Sequence, residues 1–465
     1  MDVLGLSDGT AENFFVTEFF DLAIRDKRLK LRAIKIFQAL QKRMTICVRR
    51  LFVDAKNSRQ AYDFFSNPKV SGEILLEPHY QNTIERVRTS QAEYILAIQD
   101  TTVLNYTSHV AKTSIGRIGL TGKTHQYGLF QHNTLCVSSD NEALGLIDLQ
   151  HFHNDDFDTS IDADNRPIEE KKTICWINAL RATREKLKGY GKKVITVADR
   201  DGDFFEFLHE LADDLYVIRA QYDRYTGEKY KKGDKLIELL DKAEPLGSTE
   251  IIINDVNTHE IKTVALKIKT LQAIDIPPSS RVKRANKDKH YKPIKVNVVM
   301  AYNETYCWIL MTNLPVESLE ECLKVLKIYK ERWHVEDFHK VLKTGYQVDE
   351  LYLHASLSAI KNALVMASIS ACRLYWLIFS GRVEQELKAD KFFKEYEWKS
   401  LYIYFKESIP KEIPTLVEVI HKIARLGGYK PTKKSKPPGV KTMWLGFQAF
   451  SVAAEMYHSI LSIKT

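Results

Sequence analysis

The stretch "KKVITVADRDGDFFEFLHEL", residues 192–211, begins as an apolar, β-branched strand and continues as a helix, with Asp199 at the junction. The residues before it, "IEEKKTICWINALRATREKLKGYG", read as a helix closed by Gly189 and Gly191. Helix, strand, acid, helix is the order of an α/β core, and a carboxylate at a strand end faces a cleft. Asp203 and Glu206 have capping-box spacing, so Asp203 is expected to cap the second helix. Asp201 stays open between structural and chemical roles.

Working outward, "AEYILAIQDTT" alternates toward a strand ending at Asp100, and "HNTLCVSSD" and "ALGLIDLQHF" predict two more strands of a meander. Residues 220–312 hold the strand candidates "STEIIIND", "TVALKIKT", "IKVNVVMAY" and "YCWILMTN" around a basic loop, "SSRVKRANKDKHYKP". They read as an insertion in the core. Helical sequence resumes with "PVESLEECLKVLKIYKERWHVEDFHKVLK", and residues 386 onward predict a polar, aromatic-rich helical region.

A chain of 465 residues, 44% of them hydrophobic, can bury a full core, and about 150 residues per domain suggests about three domains. The six cysteines form no CxxC pair, which argues against a zinc site or a disulfide framework and for a reducing compartment. "MDVLGLSDGTAENFF" lacks the basic start and apolar run of a signal peptide. The apolar stretch "AIKNALVMASISACRLYWLIF" contains Lys361, Asn362 and Arg373, so a core helix is expected rather than a membrane span.

Net charge is +8, unevenly spread: residues 21–60 carry twelve Lys and Arg against three Asp. There Leu29, Ala33, Ile36 and Leu40 make one helix face, beside a stripe of Arg25, Arg28, Arg32 and Lys35. The stripe suits phosphate; a solvated basic face is the alternative. Two other charged runs read as a solvated loop and a flexible connector. "HNDDFDTSIDADNR" lacks the central Gly and terminal Glu of a calcium hand, and "KPTKKSKPPGVK" is basic and Pro-rich.

On a single helix, Tyr329, Arg332, Glu336, Lys340 and Lys343 would share one face. Alone, that is a salt-bridge stripe. Set against Asp100 and Asp199 at strand ends, Glu336 completes a three-carboxylate pocket of hard oxygen ligands suited to Mg²⁺.

"YKERWHVEDFHKVLK" matches Y-x2-R-x3-E-x6-K and resembles the bacterial insertion-sequence DDE transposases, most closely the transposon-five-type cut-and-paste enzymes. The likeness extends to "AIQDTT", "ADRDGD", "NETYCWILMTNLPVESL", "AYDFFSNPKVS" and "ARLGGY". It implies an α/β, ribonuclease-H-like catalytic core at 81–385 with the β-rich insertion at about 220–312. A helical DNA-end-binding domain at 1–80 and a helical, dimerising C-terminal domain at 386–465 would flank it. Asp100, Asp199 and Glu336 would be the catalytic, metal-binding triad for Mg²⁺, with Mn²⁺ substituting.

Tyr329, Arg332 and Lys343 would hold DNA phosphates, with Lys340 on the same face. Trp308 would stack on or replace a flipped base, unless it is a core aromatic. Arg219 and Arg200 would lie near the DNA end, a structural ion pair being the alternative for each. His132 is expected to be a satisfied strand histidine. The family often has Glu where this chain has Asp201.

The implied partners are double-stranded terminal repeats and target DNA, bound by a homodimer in a synaptic complex, with no membrane, in the bacterial cytoplasm at the nucleoid. The implied reaction runs through nicking, hairpin formation, reopening and strand transfer. Two other readings remain: a noncatalytic end-binding regulator, and a metal nuclease that does not transpose.

Overall fold

The carboxylate of Asp26 accepts the N–H groups of Arg28 and Leu29 and starts helix α1, Lys27–Arg43. The computed structural model describes residues 18, 22–108, 115–158, 160, 162, 165–254, 261–351, 356–383, 386–431 and 438–463. Ala33, Ile36, Phe37 and Leu40 form the buried face of α1, as the spacing predicts, and Leu29 packs at its margin. Arg28, Arg32 and Lys35 lie on the helix. Arg25 does not, because Asp26 is the cap and Arg25 precedes it.

Helices α2, Val48–Leu51, and α3, Ala55–Phe65, follow, the latter capped by Asp54. Ser71 then caps α4, Gly72–Thr89, which runs past residue 80 and packs on the sheet. The expected end of the N-terminal domain therefore falls inside a continuous helix.

The sheet begins with β1, Ile95–Asn105; β2, Arg117–Thr121; β3, Thr124–Ser138; and β4, Ala143–Phe152. Strands β1, β3 and β4 form the expected antiparallel meander, with Asp100 opposite Asn133. Strand β2 is an addition the sequence reading missed: it pairs with the start of β3 as a hairpin.

Helix α5, Ile174–Lys186, leads into β5, Val194–Ala198, which runs parallel to β1. Then α6, Phe205–Glu210, leads to β6, Leu215–Arg219, parallel to β5. Asp203 does not cap α6. Its buried carboxylate instead accepts the N–H groups of Gln221 and Tyr222 at 2.6 and 3.0 Å and pairs with Arg224, so it pins the loop after β6.

After α7, Leu236–Lys242, come β7, Gly247–Asn254, and β8, Ile261–Ile276. Helix α8, Ser280–Ala285, β9, Ile294–Tyr302, and β10, Cys307–Thr312, complete the run. The four expected strands are present, but they are no separate layer. β10 pairs antiparallel with β6, and β9, β8 and β7 continue outward, so the described residues form one ten-stranded sheet.

Ser318 and Glu321 form a capping box at the start of α9, Leu319–Lys330. The helix expected to carry the whole signature then breaks. Glu331 and Arg332 bond back three residues, to Ile328 and Tyr329, before α10, Trp333–Lys340, and a π-helical turn, Val341–Gly345.

Helix α11, Leu357–Val383, contains the one described segment long and apolar enough to cross a membrane, and nearly all of it is buried within the fold. The C-terminal region comprises α12, Glu395–Tyr404; α13, Leu416–Leu426; and α14, Val440–Ile463. α14 rests on α1: Trp444 Nε1 donates to Met44 O at 2.8 Å and Ser451 Oγ to Lys42 O at 2.6 Å.

Candidate active site

Because β1 and β5 are parallel, with Ile98 opposite Val197, the chain delivers Asp100 and Asp199 at the same level of neighbouring strands. Asp100 Oδ1 accepts the Thr101 N–H at 2.8 Å. Asp199 Oδ1 accepts the Asp201 N–H at 2.9 Å and so caps the short turn Arg200–Gly202. Asp201 thereby contributes its backbone to the site.

Glu336 arrives from α10, which packs over β1 and β3. Burial, then the charge of Asp199, pushes the Asp100 carboxyl up to about 7; Glu336 adds to this, and Thr101 N–H and Arg332 oppose it. Burial also raises Asp199, with Asp201 and Glu336 adding negative charge. The three acids feel one another. Among the described residues, however, no three acidic, His or Cys side chains converge on a single metal-sized point. Glu336 Oε1 is instead bonded to Arg332 Nη2 at 2.5 Å.

The other signature residues spread from that pair. The Arg332 guanidinium lies 5.8 Å from the centre of the Tyr329 ring, and Tyr329 meets Trp308 edge-on at 6.0 Å. Tyr329 is buried and Trp308 half-buried, so Trp308 is a boundary residue. Lys340 is exposed and pairs with Asp337 at 2.9 Å, and Lys343 is half-buried in the π turn.

Arg219 Nη2 donates to Cys307 O at 3.4 Å, and exposed Arg200 lies near enough to act on the same cysteine, so both arginines flank the β10 end that carries Trp308. On α1, Arg32 and Lys35 both donate to Asn57 Oδ1, at 3.0 and 2.8 Å, while Arg28 is exposed.

His132 is fully buried, contacts Thr101 Oγ1 at 2.8 Å and Gln99 Oε1 at 3.3 Å, and stays neutral: a satisfied strand histidine. Sequence reasoning missed His339, whose Nδ1 is 3.7 Å from Asp100 Oδ2. Its signal was present, since it follows Glu336 by three residues and shares that side of the helix.

A family model described as the transposase Tn5 dimerisation domain matches residues 369–462, and one described as transposase DNA-binding matches residues 11–70. Both matches support a Tn5-type transposase. The DNA-binding match takes in α1, α2 and α3, the basic module. The dimerisation match begins at Ile369, inside α11 and ahead of residue 386, where the sequence suggested the C-terminal region starts. The chain is thus a mixed α/β protein with a helical DNA-binding region before the sheet and a helical region, matched by the dimerisation model, after it.

Proposed function

We propose that this transposase binds the ends of a DNA element, cuts them and joins them to target DNA, using Asp100, Asp199 and Glu336 to hold two Mg²⁺ ions. The observation that carries the reading is the level pairing of Asp100 and Asp199, two half-buried carboxylates whose mutual repulsion calls for a cation between them. Asp100, Asp199 and Glu336 would hold the ions, with Glu336 released from Arg332 to do so. The strand order β4-β3-β1-β5-β6, with β1, β5 and β6 parallel, supports a ribonuclease-H-like core.

When bound, such ions activate a water or 3′-hydroxyl and stabilise the leaving oxygen. The residues do the rest by position. Arg332 neutralises Glu336 in the free protein and is placed to turn to a phosphate when the ligand set fills. Lys340 and Lys343 continue the cationic surface beyond it, and Arg200, Arg219 and Trp308 border the strand ends where an unstacked base would lie. Arg28, Arg32 and Lys35 of α1 face the terminal repeat, and two protomers bring two ends together. Hairpin formation and reopening by water complete the sequence of steps.

Purified protein incubated with Mg²⁺ and the flanking terminal repeats of its element, resolved on a denaturing gel, tests this. Nicks followed by hairpins and joined products are expected. Nicks without hairpins would leave a nuclease, and binding without cleavage a regulator.

A further inference from the structure

A file of buried polar side chains runs along β3 toward the acidic pair. His151 Nε2 donates to Gln131 Oε1 at 2.8 Å, and Gln131 Nε2 donates to Asn133 Oδ1 and to Ser368 Oγ of α11, each at 3.1 Å. Asn133 Nδ2 then donates to His339 Nε2 at 2.8 Å. Gln131, Asn133 and Ser368 are fully buried and His339 nearly so, so this direction of donation does not compete with water. Since His339 Nε2 accepts, the ring's hydrogen is on Nδ1, the atom that faces Asp100 Oδ2 at 3.7 Å. That separation is too long for a hydrogen bond and short enough to decide which way the carboxylate turns. The other oxygen, Oδ1, is already held by Thr101 N–H.

From this geometry we infer that His339 is a positioning residue for Asp100, and that Asn133 sets its tautomer. The Asp100 carboxylate is held at Oδ1 by Thr101 N–H and faced at Oδ2 by the His339 N–H, which leaves its outward lone pairs for a divalent cation. The inference rests on Asp100 being a metal ligand. It concerns how that ligand is aimed.

The test uses the full-length chain, Mn²⁺ as the probe and calorimetry as the readout, alongside end binding, melting temperature and single-turnover nicking. His339→Phe keeps a ring and removes the N–H. It is expected to weaken Mn²⁺ binding about 10-fold or more and to slow nicking without changing affinity for the DNA end. His339→Asn returns an N–H near the Nδ1 position and should recover most of both losses. Asn133→Leu, which leaves His339 in place but frees its tautomer, should show part of the loss and serves if the Phe variant does not fold.

Unchanged Mn²⁺ affinity in His339→Phe, or a loss that follows the melting temperature and is not recovered by His339→Asn, overturns the inference. Asp100→Asn is measured in parallel. If it leaves Mn²⁺ affinity unchanged, the ligand reading itself has failed and the inference goes with it. If it abolishes binding while His339→Phe does not, only the positioning role is lost.

Discussion

Arg332 and Glu336 are bonded across one turn of α10, Nη2 to Oε1 at 2.5 Å, so the acid expected to bind metal is held by its own signature arginine. Such a pair has two uses: it lowers the cost of a third carboxylate beside Asp100 and Asp199, and it keeps an arginine ready at the site.

Replacing Arg332 by Ala should therefore leave end binding nearly intact while single-turnover nicking falls on the order of 100-fold, the scale for one lost charge-stabilising donor. Retention of more than half the nicking rate would assign Arg332 to structure alone.

For the acids the expected signs differ between activity and stability. Asp100→Ala, Asp199→Ala and Glu336→Ala should each abolish cleavage and keep end binding. In addition, Asp100→Asn should raise the melting temperature in chelator, because it removes one of two neighbouring half-buried like charges while keeping the shape. Nicking by any of the three Ala variants would remove that residue from the triad, and a lowered melting temperature for Asp100→Asn would show that the repulsion is not felt.

Trp308 stands between core and surface, edge-on to Tyr329. Trp308→Ala should preserve first-strand nicking and reduce hairpin formation about 10-fold or more, matching the loss of about 1–3 kcal/mol of base stacking. A core role would instead cost roughly 3–5 kcal/mol of stability and depress both steps together. Nicks, hairpins and melting on one preparation separate the two.

Burial holds His132 and His151 down at about 3, below the ordinary histidine range. The unfolded chain takes up those protons below about pH 6.5 and the folded chain does not, so stability should rise with pH across that region and fall as pH drops from 7.5 to 5.5. Each histidine contributes about 1.4 kcal/mol per pH unit below 6.5. Urea midpoints at the two pH values check this; a His151→Gln variant should show a shallower dependence, and equal midpoints for the native chain would contradict it.

At the crossing of α13 and α14, a Cβ on Gly446 would stand 2.0 Å from Ile423 O. Gly446→Ala should force the helices apart, cost on the order of 2 kcal/mol or more, and weaken self-association measured by sedimentation. An unchanged melting temperature would mean the crossing adapts freely.

Much of this was readable because alternation and spacing are local. The meander, β5 and the four insertion strands announced themselves by their apolar, β-branched runs, and Asp199 by its place at a strand end; Asp100, expected at the end of its strand, lies inside β1, which runs on to Asn105 because it stays paired with β3. What alternation does not encode is which edge a strand joins, so the insertion's continuity with the core through β10 and β6 was invisible. β2, "RIGLT", is too short and too exposed to carry a pattern. Helical periodicity passes smoothly over Glu331 and Arg332, where the backbone bonds shift to three residues back. Asp203 had the spacing of a cap, but its carboxylate found Arg224 across the loop. The polar file behind His339 depends on register between β3, β4 and α11, which no single segment displays.

The continuity of the sheet fixes a length. Asp199 leaves β5, and Trp308 stands on β10, with β6 alone between them, so two interstrand steps, about 10 Å across the sheet, separate the proposed cutting site from the proposed base clamp. In the proposed reaction this spacing works as a gauge laid across the DNA end. Its divisions are backbone hydrogen bonds, so altering a side chain can blunt the clamp or the cutter but cannot move one relative to the other.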